Sequence, residues 1–130
     1  MIPHPPSPPQ PLLVWWVVWA AFFTGLCQIY YFLGVAAPAH PAYGPANALV
    51  AAAGLLPVAA SIVIRWAVLP RLSDSRKAFV FFVVGIALAE ASCFLGLFVF
   101  PAFKTPLFAF SLLGIAQFIP FFARRYFQRP

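Results

Sequence analysis

The chain has 130 residues, of which 64% are hydrophobic and only 8% charged, with a formal net charge of +6. A soluble domain is nearer a quarter charged, and a domain this small leaves much of its surface wet, so no aqueous fold hides this much apolar surface. Lipid is the expected solvent, and the cation excess then reads as membrane topology rather than as a nucleic-acid footprint.

Residues 1–11, "MIPHPPSPPQP", hold six prolines. Such a run forms neither helix nor ladder hydrogen bonds and predicts a disordered, polyproline-like arm. Its PxxP spacing, Pro5 to Pro8, is a weak docking-peptide signal. Four apolar runs follow, 12–34, 46–69, 78–100 and 107–123. A bilayer core of ~30 Å takes about 20 helical residues. Three runs meet that length, and the weakly polar stretch Pro101 to Pro106 extends the fourth. The runs do not alternate apolar and polar residues, which sets aside barrel strands. The first run lacks a basic leader and is too long for a signal-peptide core, so it reads as a retained anchor.

The first connection, "VAAPAHPAYGP", is an external turn by composition. The second, "PRLSDSRK", has Pro70 to stop one helix and Ser73 or Asp74 to cap the next. The third is "PAFKTP". So short a second connection makes helices two and three a tight hairpin. The expected fold class is an all-α membrane protein, four transmembrane helices in an up-down bundle, with a basic tail over 124–130.

Arg65, Arg71, Arg76, Lys77, Arg124, Arg125 and Arg129 gather at one side by this count, and only Lys104 falls on the other. By the positive-inside rule, the second loop and both termini face the cytoplasm. The expected setting is a cytoplasmic membrane of bacterial type. Arg71, Arg76, Lys77, Arg124, Arg125 and Arg129 are expected at anionic lipid headgroups. Trp15, Trp16, Trp19, Trp66 and Tyr126 are expected at headgroup depth on that side, with Tyr30, Tyr31 and Tyr43 on the other. Pro57 and Pro120 are expected to kink their helices.

Glu90 is one of two acidic side chains, with Asp74, and lies mid-run in "FVFFVVGIALAEASCFLGLFVFP". An ionised carboxylate at the bilayer centre costs about 2.5–3.5 kcal/mol on insertion scales. It is therefore protonated, paired or reached by water. No Lys or Arg lies within two helical turns of it. By depth its candidate partners are Gln117, Ser61 and Thr24. Two readings stand: a proton- or cation-handling carboxyl, or a protonated interhelical hydrogen-bonding group in a structural or assembly subunit. Beside it, Gly85, Ala89, Ser92, Cys93 and Gly96 form a small-residue stripe that admits a neighbouring backbone. That neighbour is a helix of this chain, a second copy, or another membrane protein.

The stretch "RLSDSRKAFVFFVVGIALAEASCFLGLFV", residues 71 to 99, resembles the proteolipid (c) subunit of rotary ATP synthases. Gly85, Ala87, Leu88, Glu90, Ala91, Gly96 and Leu97 match that family's G-x-A-L-x-E-A-x-x-x-x-G-L pattern after an Arg-containing polar loop. The resemblance implies a reversibly protonated Glu90 and a cytoplasmic loop. It covers under a quarter of the chain. The family's glycine ladder and Arg-Gln-Pro loop are absent, and this chain has four apolar runs against two in the bacterial subunit. In size and helix number the chain is also similar to small multidrug-resistance transporters, whose membrane glutamate lies in the first helix, where this chain has none.

Cys27 and Cys93 come out at one depth by span counting and read as packing residues. His4 and His40 lie outside the spans, so neither a metal site nor a haem is expected. No cofactor is expected either. No nucleophile–base–acid set, phosphate loop or dinucleotide fingerprint occurs, so enzymatic activity is not expected.

Overall fold

The computed structural model describes residues 11–36 and 45–127. The proline-rich arm up to Gln10, the first connection with His40 and Tyr43, and Arg129 lie outside the described residues. Among the described residues the chain is all helical, and four helices are long and apolar enough to cross a membrane. These are α1 (Leu12–Val35), α2 (Ala48–Arg71), α3 (Ser75–Phe98) and α4 (Pro101–Tyr126).

Only α3 is α-helical from end to end. It holds no proline, and the Asp74 carboxylate at its N-cap accepts from the Arg76 backbone N–H at 2.9 Å. Such a cap answers one of the four free N–H groups of the first turn. The other three helices change pitch. The last turns of α1, Tyr30–Val35, widen to π geometry. In α2 a 3₁₀ turn, Ala53–Leu55, precedes Pro57, and π and 3₁₀ turns close its end. In α4 the α-helix ends at Ala116, Ile119 turns extended (ψ 125°), and Pro120–Tyr126 resumes as 3₁₀. The fourth span is thus longer than the apolar run alone. It starts at Pro101 and takes in Arg124 and Arg125, which sequence reading gave to the tail.

Packing centres on α3. Ala78, Phe82, Gly85, Ile86, Ala89, Ser92, Cys93 and Gly96 are all buried along it. Gly85 leaves room for the Phe118 ring, Ala89 meets Gly114, and Gly96 sits under Leu107. Numbers rise along α3 as they fall along α4. Toward α2, the Ser92 hydroxyl donates to the Gly54 carbonyl at 2.6 Å. Toward α1, Trp15 packs on Phe79 and Phe82 with ring centroids 5.2 and 4.9 Å apart. Outward faces are apolar: Leu49, Leu56, Phe98 and Leu113 are each about two-thirds exposed or more. Exposed leucines in such number suit hydrocarbon rather than water.

Trp15 is fully buried among Phe79, Phe82, Phe122 and Tyr126, and among the described residues its indole N–H has no hydrogen-bond partner. The ring fills a gap lined by four other aromatic rings, which offer it apolar and edge contacts in place of a polar partner.

Gly85→Ala drives a methyl group into the buried Phe118 ring, and Gly25→Ala meets nothing within 4 Å. Unfolding of the detergent-solubilised protein should show Gly85→Ala less stable by about 1–3 kcal/mol. Gly25→Ala should stay within about 0.5 kcal/mol of the parent. Equal midpoints for the two variants would show that α3 and α4 do not pack as described.

Candidate functional site

The unbroken α3 fixes the position of Glu90. It lies fifteen residues from Ser75 and eight from Phe98, roughly 12 Å from the latter end at helical rise. That is past the middle of the helix rather than at its centre. Helical neighbours three and four residues away share a face. On one side of Glu90, Ile86 and Cys93 are buried; on the other, Ala87 and Phe94 are exposed. Glu90 is half-buried at the seam between them. Cys93 lies within electrostatic range of both Glu90 and Cys27, so the two cysteines and the carboxyl occupy one neighbourhood.

Among the described residues the Glu90 carboxyl has no hydrogen bond and no ion-pair partner. The candidates by depth are occupied elsewhere. The Gln117 amide nitrogen points at the Ser61 hydroxyl, 3.4 Å away, and its oxygen accepts from the Trp66 indole N–H at 3.0 Å. Thr24 is exposed on α1. Register explains the miss. Gly114 is the residue facing Ala89, and Phe118 faces Gly85. Gln117 therefore falls about one turn closer than Glu90 to the Ser75 end of α3.

The residue that joins this polar cluster is Arg65, which sequence reading set aside as a boundary cation. Its Nε donates to the Gln117 carbonyl at 2.7 Å. Its guanidinium carbon lies 4.3 Å from the Phe122 ring centroid and 4.7 Å from that of Trp66. The cause is Pro120. In 3₁₀ register the Gln117 carbonyl would accept from residue 120, and proline has no N–H to give. A carbonyl left bare at membrane depth costs several kcal/mol, and an arginine is a fixed, always-charged donor. The Trp19 indole N–H lies beside the same break, donating at 2.9 Å to the Ile115 carbonyl, which also accepts from the Phe118 backbone N–H at 3.0 Å. Two sequence signals pointed here. Ser61 and Arg65 are four apart on one face of α2, and Pro120 stands three residues after Gln117.

The small-residue stripe of Gly85, Ala89, Ser92, Cys93 and Gly96 is buried throughout. Ser92 bonds across to α2, and Ser111 on α4 is buried with no partner for its hydroxyl among the described residues. Among the described residues no group of three histidine, cysteine or acidic side chains comes together.

Removing the guanidinium by Arg65→Met should cost about 1–3 kcal/mol of stability, because the Gln117 carbonyl loses its charged donor. The same change in a Pro120→Ala background should cost less, since residue 120 then offers its own N–H. A double-mutant cycle on unfolding midpoints reads this coupling. Strict additivity would show that Arg65 does not answer the proline break.

Comparison with known proteins returned no matching family model, no matching curated protein and no matching solved structure.

Proposed function

We propose that the chain is a small polytopic membrane protein that takes up and releases a proton or a cation at Glu90. One observation carries the reading: Glu90 is half-buried at the edge of the bundle and has no hydrogen-bonding partner among the described residues. An interhelical fastener within one chain would be expected to hold a partner, and Gln117 and Ser61 bond elsewhere. A carboxyl at a protein–lipid seam is open to exchange with water, an ion or a neighbouring subunit, and intramembrane carboxylates are functional by default.

The exposed side of the seam favours a second reading. Ala87 and Phe94 border Glu90 and are exposed, so a helix of another subunit has access to the carboxyl. In that case Glu90 stays protonated and bonds across the interface, and the chain is a structural or assembly subunit.

The up-down arrangement, with α2 and α3 as a hairpin, belongs to the same proposal. It is supported by the opposed order of contacts between α3 and α4 and by the connection of only three residues from Leu72 to Asp74. Arg71, Arg76 and Lys77 then share one end with Arg124 and Arg125, which the positive-inside rule assigns to the cytoplasm along with both termini.

Carbodiimide labelling of the purified protein from about pH 5 to about pH 9, with and without sodium or lithium, tests the reading. Carbodiimides react with protonated carboxyls in apolar surroundings. Labelling at Glu90 should fall as pH rises, because the ionised form does not react, or should be blocked by one of the cations. Glu90→Gln should abolish both responses and keep the fold. Unchanged labelling across the range with no cation effect would show a carboxyl that stays protonated, and no labelling at any pH a sealed one; either result favours the subunit reading.

A further inference from the structure

At the end of the bundle where α2 meets the last turns of α4, a cavity of about 300 Å³ is lined by Pro70, Arg71, Leu72, Ser73, Arg125 and Tyr126. Liquid water takes about 30 Å³ per molecule, so the space exceeds what a few trapped waters need. Two cations and two hydroxyls line it. The one nearby carboxylate, Asp74, is turned to the Arg76 N–H at the α3 cap. Among the described residues it pairs with neither arginine.

The cavity is built rather than incidental. Arg125 Nη2 donates to the Leu69 carbonyl and to the Tyr126 hydroxyl. The Tyr126 hydroxyl in turn shares its one proton between the Leu69 and Leu72 carbonyls, 3.2 and 3.1 Å away. These bonds tie the end of α4 to the turn after α2 and hold one edge of the Arg125 guanidinium. A guanidinium has five N–H donors, so the others are left for a ligand. Arg71 adds a second guanidinium with no hydrogen bond or ion pair among the described residues. A wall of two arginines with serine and tyrosine hydroxyls, free of an opposing carboxylate, matches tetrahedral anionic oxygen.

We infer that this cavity binds a phosphoryl group, carried by an anionic phospholipid headgroup or present as free phosphate. The site stands apart from Glu90 and does not depend on which side of the membrane it faces. Its position at the mouth of the bundle, on the turn joining two apolar helices, puts it at headgroup depth for a lipid and within reach of water for a free anion.

The test uses the full chain in detergent. Binding of phosphatidylglycerol, with phosphatidylcholine for comparison, is followed by native mass spectrometry and by the lipid-dependent rise in unfolding midpoint. Wild type should retain phosphatidylglycerol at one molecule per chain. Arg71→Gln should weaken that retention about tenfold or more, as expected for loss of a charge-assisted contact. Lys77→Gln removes the same charge nearby but outside the cavity and should leave retention within about twofold. Arg71 makes no bond among the described residues, so its variant should fold as the parent does. Competition by millimolar inorganic phosphate would assign the site to free phosphate, and its failure to compete would assign it to the lipid headgroup. Equal losses in Arg71→Gln and Lys77→Gln, or no loss in either, would reduce the effect to general surface charge and overturn the inference.

Discussion

Backbone carbonyls in hydrocarbon must find donors, and no water is there to supply them. Two of the four helices carry a proline where that rule bites. Pro57 stands three residues after Gly54, and Pro120 three residues after Gln117. Each proline denies the earlier carbonyl a 3₁₀ partner. Each carbonyl is answered from another helix, Gly54 by the Ser92 hydroxyl and Gln117 by Arg65. Both donors are specific side chains at fixed registers. The two breaks therefore pin α2 against α3 and α2 against α4, so local weak points in the helices become the polar joints of the bundle.

The remaining joints are steric. α3 has no proline and keeps its α-helical pitch throughout, so its small residues stay in line. Gly85, Ala89 and Gly96 let α4 approach until Phe118, Gly114 and Leu107 touch it. Between membrane helices there is no hydrophobic drive, so close contact of this kind supplies much of the association energy. The polar joints and the close contacts together use up Ser61, Ser92 and Gln117. Glu90 is left at the edge of the same helix without a bond among the described residues. Its position follows from the register of everything else, so the bonds that hold the described bundle together do not include it.

The end of the bundle that carries the second loop is organised by rings and guanidinium groups. Trp15 is enclosed by Phe79, Phe82, Phe122 and Tyr126, and Arg65 lies over Phe122 and Trp66. Arg124 lies 5.3 Å from the Phe121 centroid and Arg125 4.7 Å from that of Tyr126. A cation over an aromatic face keeps much of its electrostatic stabilisation in a setting of low polarity. Arginine and aromatic residues alternate there because each makes the other tolerable near the hydrocarbon. The same pairing shapes the cavity beside Arg71.

Hydropathy and length determined the class of molecule and the four apolar helices, and local sequence narrowed the α3 cap to Ser73 or Asp74, because those features depend on composition and on residues close in sequence. The small face of α3 was legible for the same reason, since its spacing is a property of one helix. What only the tertiary structure decided is which groups meet. Depth counting brought Gln117, Ser61 and Thr24 toward Glu90, but depth gives one coordinate of three. The rotation of each helix and the pitch changes at Ala53–Leu55, Ile64–Val68 and Gln117–Ile119 set the other two. Those changes turned Arg65 inward onto a freed carbonyl. Here the prolines broke the regularity, and side chains from distant positions answered the broken bonds.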